Sequence, residues 1–161
     1  MNKSFEADVQ KEVRHLVLPY YFNFRHYVEL ELKGLIITMT NEMPKITHDL
    51  KSLWKVFSEK MDELKYNSEV VNDKVKEVNF VRVKNDIKIH MKQAYNILEE
   101  YVKEEPAADY YRFLFDTKFE LSKILVELDF GYVDKLFRDM ANEFKLINAK
   151  LHEIVYIYCT L

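Results

Sequence analysis

The sequence predicts an all-α fold, a single bundle of about five to six helices over residues 1–161. Only two glycines and three prolines occur in the chain, which leaves little material for the many tight turns of a β protein. Apolar residues instead recur at three- and four-residue steps over long stretches. A length of 161 residues with 48% hydrophobic content suits one domain with a sizeable core.

Charge and composition exclude several classes of protein. A formal net charge of −3 argues against a wholly basic coat for nucleic acid. Cys159 is the single cysteine and cannot form an internal disulfide, and the polar N-terminal stretch does not resemble a secretory signal, so we expect a cytoplasmic protein. Glu29, Glu31 and Lys33 interrupt the most apolar run, so we do not expect membrane insertion.

Motifs that hold cofactors or metals are missing from the sequence. There is no glycine-rich phosphate loop and no Ser-His-Asp context. The Glu12-x-x-His15 spacing occurs in di-iron bundles, but such sites need a second copy, which this chain lacks. We therefore expect no cofactor and no metal.

The N-terminal part of the chain predicts two helices in succession. A first amphipathic helix should stop near Leu18, and Pro19 suits the first position of a second helix that runs to about Thr40. Gly34 lies inside this second helix, where glycine costs up to ~1 kcal/mol relative to alanine. Close approach by a neighbouring helix is the expected compensation.

A third helix follows a short loop. Thr47 is placed to cap it, with Asp49 in the first turn, where the positive helix end favours a carboxylate. Its apolar stripe predicts that Trp54 packs inside the bundle with Leu50 and Phe57.

Residues Val81 to His90 change their period. Apolar and polar residues alternate there around Asn85-Asp86, which predicts a short β-hairpin. The turn lacks the glycine favoured in two-residue hairpins, and two strands alone are marginal, so a continuous helix is the alternative. A helix follows from Met91 in either case.

Two further helices complete the predicted bundle. One spans about Ala108 to Leu128, and the last follows a turn at Asp129 to Gly131. The last helix carries apolar residues at alternating four- and three-residue spacings: Val133, Phe137, Met140, Phe144, Ile147, Leu151, Ile154 and Tyr158. This heptad seam serves either the core of one chain or a homodimer through the C-terminal helix.

Titratable residues concentrate at the starts of the second and third helices. They are Arg25, His26, Glu29, Lys33, His48 and Asp49. Together they could form a polar pocket that binds a phosphate or a partner. The same i,i+4 spacing on the second helix also suits a solvated ion-pair ladder, and the two residues before the third helix also suit a helix cap.

The clearest local excess of positive charge lies between Lys74 and Lys92. The cations expected to contact nucleic acid or a partner there are Lys84, Lys88 and Lys92. If the hairpin forms with an odd loop, Arg82 and His90 face each other, which would place a cation beside a titratable imidazole. An ordinary solvated basic face is the alternative.

Two segments resemble the HEPN-like helical domains of prokaryotic defence and toxin–antitoxin systems. The resemblance covers about Pro19 to Tyr101 and follows the form RHxxELxLKxL and then HDLxxLW. The matching residues are Arg25, His26, Glu29, Leu30, Leu32, Lys33 and Leu35 in the first segment and His48, Asp49, Leu50, Leu53 and Trp54 in the second.

The resemblance also sets expectations about activity. Catalytic HEPN ribonucleases carry an arginine and a histidine separated by four to six residues, and this motif is missing here. Arg82 and His90, separated by seven residues, come nearest. The resemblance therefore implies a noncatalytic interaction or RNA-binding module in antiviral defence or a toxin–antitoxin system, with a protein or RNA partner. The alternative is a divergent, metal-independent ribonuclease that uses either Arg82 with His90, or Arg25 and His26 with His48.

Overall fold

The fold is a helical bundle, as the sequence predicts. The structure, a computed structural model, describes residues 2–44, 47–67, 73–104 and 130–158, with side chains for 20–44, 47–67, 73–102 and 131–156. All regular structure in these ranges is helical: α1 (Asn2–Thr40), α2 (Leu50–Glu63), α3 (Lys74–Glu104) and α4 (Phe130–Glu153), continued by a π-helical turn, Ile154–Tyr158. The helix predicted over residues 108–128 lies outside the described residues.

Helix α1 is continuous, so the predicted break at Pro19 is wrong. Proline has no N–H to donate within a helix and is usually a boundary. The apolar spacing of Val17, Tyr21 and Phe24 nevertheless continues in phase across Pro19. The apolar period of the sequence is therefore the same on both sides of Pro19, although local propensity favours a break there.

Helix α3 is also continuous, and the predicted hairpin at residues 81–90 is not present. Val83 and Ile87 are buried, one helical turn apart, whereas Val81 and Ile89 are exposed. The buried pair continues a stripe of three- and four-residue steps, which a strand could not bury on one side. The alternation in the sequence came from valine and isoleucine on the exposed side of a helix.

One hydrophobic core joins the four helices, and α4 lies at its centre because it packs against both α1 and α3. Its fully buried residues are Val133, Met140, Phe144, Ile147, Leu151 and Ile154. Phe137 is half-buried against the same core. The predicted seam from Val133 to Ile154 therefore faces the interior of its own chain, and burial there accounts for the heptad pattern without a second copy. The last seam residue, Tyr158, lies outside the described side chains.

Helix α2 packs on α1, and its N-cap lies two residues after the predicted cap, Thr47. Asp49 is the N-cap, and its carboxylate accepts hydrogen bonds from the backbone N–H groups of Lys51 and Ser52, both at 3.2 Å. Thr47 Oγ1 accepts from the Asp49 N–H at 3.1 Å and so supports the cap from the loop. Aspartate is a suitable N-cap here because its carboxylate accepts from two backbone N–H groups that have no partner within the first turn of the helix.

Trp54 is buried with Leu50 and Phe57, as predicted. Its ring meets that of Phe57 edge-on at 5.6 Å and that of Tyr95 in α3 at 5.5 Å. Such edge and tilted contacts suit the quadrupoles of aromatic rings. Trp54 thus connects α2 to α3 through the core.

Within the described ranges, no neighbouring helix approaches Gly34, so the expected close approach is not found there. A Cβ built on this residue would meet nothing within 4 Å, and Gly34 is exposed. The glycine therefore weakens α1 without compensation from packing against the described residues.

No helix within the described ranges has an apolar stretch long enough to cross a bilayer.

Trp54→Ala should destabilise the protein by about 3–5 kcal/mol, because a residue only 6% exposed leaves a large cavity. Urea denaturation measures the loss. Val56→Ala, at an exposed position of the same helix, is the control and should change stability by less than about 0.5 kcal/mol. Equal losses in the two variants would contradict the placement of the indole.

Gly34→Ala should stabilise the protein by about 0.5–1 kcal/mol, because alanine has the higher helix propensity and the new methyl group has open space. Thermal unfolding measures the shift. A lower melting temperature would show that another surface covers Gly34 in solution.

Candidate functional site

The carboxylate of Glu29 is the centre of the polar cluster between α1 and α2. Glu29 is 5% exposed, and its Oε1 accepts a hydrogen bond from Lys33 Nζ at 2.6 Å. The Nδ1 atom of His48 lies 3.0 Å from Oε1 and 3.2 Å from Oε2. As an N–H, that nitrogen donates to the carboxylate, so one buried anion ties the loop before α2 to α1.

Electrostatics favour the ionised form of Glu29. Burial alone would raise its pKa, but the hydrogen bonds from Lys33 and His48 together outweigh that effect and lower the pKa below 4.5. The group is therefore an anion at neutral pH with its acceptor sites occupied. A carboxylate held in this way supports the fold and is poorly placed to take a proton from a substrate.

Arg25 also supports the same loop. Its guanidinium donates to the backbone carbonyl of His48 at 2.5 Å. Hydrogen bonds to Asp49 from the Ser52 side chain and backbone lower the pKa of that carboxyl, and the charge of Arg25 adds a smaller effect in the same direction. The predicted cluster is thus assembled, but as a junction that caps α2.

His26 lies apart from this junction. Its ring is exposed and stacks on Phe22, with centroids 6.2 Å apart and an angle of 8° between the planes. Neighbouring helix positions point about 100° apart, so Arg25 and His26 do not converge on one ligand.

The candidate catalytic pair does not come together either. Arg82 and His90 lie on one continuous helix, and their eight-residue separation places them about 12 Å apart along the axis. His90 Nδ1 instead lies 2.8 Å from Oε2 of Glu143 in α4. Gln93 takes part as well, since its amide nitrogen, correctly oriented, reaches both oxygens of Glu143.

Two of the three predicted binding lysines connect helices. Lys84 Nζ donates to the carbonyls of Asp62 and Leu64 at 3.1 and 2.6 Å, where α2 ends. Lys88 Nζ pairs with the Asp62 carboxylate at 2.7 Å, and this hydrogen bond holds the pKa of Asp62 below its usual range. A cation at the C-terminal end of a helix also complements the helix dipole. Lys92 remains on the exposed surface of α3.

Other cations of α3 remain available for a partner. Lys74, Lys76, Arg82 and Lys92 are exposed, and none makes an ion pair within the described part of the chain. Four exposed aliphatic side chains lie on the same helix: Val75, Val78, Val81 and Ile89.

The aliphatic part of this surface was not predicted from the sequence. The helical reading of residues 81–90 would have revealed it, because the valines then fall outside the buried stripe. Glu143 was also missed, since only folding brings it to His90. Within the described ranges, no three His, Cys, Asp or Glu side chains group closely enough to hold a metal ion.

Glu29→Gln should lower stability by about 1–3 kcal/mol at pH 7, because it removes the charge that Lys33 and His48 share. A lowered pKa stabilises the folded state above the unfolded value of about 4.5, and this contribution disappears as the pH falls through the folded value. The difference in unfolding free energy between wild type and Glu29→Gln should therefore become smaller below about pH 4.5.

Denaturant midpoints measured from pH 3 to pH 8 check this prediction. Glu59→Gln, which breaks the exposed pair with Lys55, is the control and should cost less than about 0.5 kcal/mol. A gap that stays constant with pH would contradict the ionised state of Glu29.

Comparison with known proteins adds no family to this geometry: no protein family, no curated protein and no solved structure matches the chain.

Proposed function

We propose that this chain is a noncatalytic interaction module of the HEPN-like kind, working in prokaryotic defence or in a toxin–antitoxin system. The observation that carries the proposal is the engagement of three of the candidate catalytic groups in structural contacts. His90 is paired with Glu143, His48 with Glu29, and Arg25 with the carbonyl of His48.

Catalysis of RNA cleavage would need a different arrangement. A general base must reach the attacking 2′-hydroxyl while a cation stabilises the phosphate, so both groups must converge on one reacting centre. In the described part of the chain, Arg82 and His90 do not converge, since one helix holds both at different heights. The divergent ribonuclease is therefore the less favoured of the two functions.

The surface of α3 supports binding of an anionic partner, either protein or RNA. Arg82 and Lys92 offer charges without an ion pair in the described ranges, whereas Lys84 and Lys88 are occupied at the end of α2. Binding through unpaired cations avoids the loss of an existing contact. We therefore assign partner recognition to Arg82 and Lys92. Lys84 and Lys88 instead stabilise the contact between α3 and the end of α2.

A cleavage assay separates a module from an enzyme. Purified wild-type protein should leave a fluorescently labelled single-stranded RNA intact across pH 5 to 9, because Arg82 and His90 lie at different heights of one helix and His48 is bonded to Glu29. Turnover that His90→Ala or Arg82→Ala abolishes, with the fold retained by circular dichroism, would establish the ribonuclease and overturn the module. Glu143→Gln would then test whether His90 needs its carboxylate.

A further inference from the structure

The outward side of α3 combines exposed aliphatic groups with free positive charge. We call this surface the α3 outer face; it consists of Val75, Val78, Val81, Arg82, Ile89 and Lys92. The four aliphatic residues are 69%, 68%, 51% and 57% exposed, in chain order. At 100° per residue they fall within an arc of about 120°, so they form one strip.

The aliphatic residues weaken the helix they belong to. Valine and isoleucine are branched at Cβ and lose side-chain freedom in a helix, so their helix propensity is lower than that of alanine or lysine. Burial normally compensates, as it does for Val83 and Ile87 on the opposite side. The α3 outer face has no such compensation within the described part of the chain, which is typical of a surface that another molecule covers.

The dimensions of the strip fit a helix. From Val75 to Ile89 the rise is about 21 Å, or roughly four turns. A partner helix laid along it would contact side chains three, four or seven residues apart, which is the usual pattern when an amphipathic helix binds a surface.

The charges identify the partner's chemistry. Arg82 and Lys92 have no ion pair in the described ranges. Two nearby carboxylates are paired with other cations: Asp86 with Lys150 at 3.0 Å and Asp62 with Lys88 at 2.7 Å. Glu77 is exposed, but the exposed cations Lys74, Arg82 and Lys92 outnumber it on this stretch of α3, so an acidic partner complements the charge.

Two other occupants fit less well. A second copy would bring the same excess of cations to the contact, since Lys74, Arg82 and Lys92 outnumber Glu77 on this stretch of α3. An RNA strand would satisfy the cations, but the α3 outer face has no aromatic side chain on which bases could stack, and its aliphatic groups would meet a polar backbone.

We propose that the α3 outer face docks an acidic amphipathic helix of a partner protein. This inference rests on the proposed function, since it names the partner of the same binding surface. The aliphatic strip contacts the apolar side of the partner helix. Arg82 and Lys92 pair with glutamates or aspartates that the partner helix carries on either side of its apolar residues.

Two synthetic helical peptides of about 18 residues test the proposal. Both carry leucine at heptad positions a and d; one has glutamate at e and g, and the other has lysine. Fluorescence anisotropy with the full chain should show saturable binding of the glutamate peptide and at least tenfold weaker binding of the lysine peptide.

Variants of the chain locate the binding. Val78→Gln with Val81→Gln should weaken binding of the glutamate peptide at least tenfold, and Arg82→Gln with Lys92→Gln should weaken it and reduce its dependence on salt. Lys145→Gln with Leu146→Gln, an exposed cation and aliphatic on α4, is the matched control and should bind like wild type. Circular dichroism confirms that each variant is folded.

Three results would overturn the inference. They are no saturation of the glutamate peptide up to about 1 mM, equal binding of the two peptides, and unchanged binding after Val78→Gln with Val81→Gln. If the peptides fail but RNA binds uncleaved through Arg82 and Lys92, only the inference fails and the proposed module stands. RNA turnover, which is a separate readout, would instead remove the proposed function.

Discussion

Burial of the apolar side of α4 against both α1 and α3 is the constraint on which the rest of the structure depends. Met140, Phe144 and Ile147 are completely buried at this contact. Because α4 contacts two helices, it fixes which side of α3 faces inward. The outward position of Val78 and Arg82 follows from that choice, since side chains about half a turn away from the buried stripe must face water.

Carboxylates on one element hold cations or imidazoles on another throughout the described bundle. Glu29 holds His48, Glu143 holds His90, and Asp62 holds Lys88. Each contact joins elements distant in sequence, so it contributes to the relative positions of the helices. Histidine and arginine, which often serve catalysis, orient helices here. This explains why the described part of the chain, despite several of these residues, has no arginine and histidine whose side chains converge on one site.

The inner side of α3 stabilises the bundle, and the outer side is the one we propose for recognition. The inner side carries Val83 and Ile87 into the core, and Lys84 fastens α3 to the end of α2. The outer side keeps aliphatic groups that lower helix propensity and are not buried by the described part of the chain. A rigid helix is a good support for such a surface, because little order must be gained when a partner binds.

Composition and periodicity determined the all-α class, the burial of Trp54 and the inward seam residues of α4, since burial of one stripe demands a regular spacing. They could not decide whether Pro19 ends a helix, because proline usually marks a helix boundary whereas the apolar period continues across it. Nor could they distinguish a hairpin from a helix at Val81 to His90, where two periods fit a short run. Only the tertiary structure decided these questions, together with the partners of the charged side chains, because ion pairs such as that of Glu143 join residues that folding alone brings together.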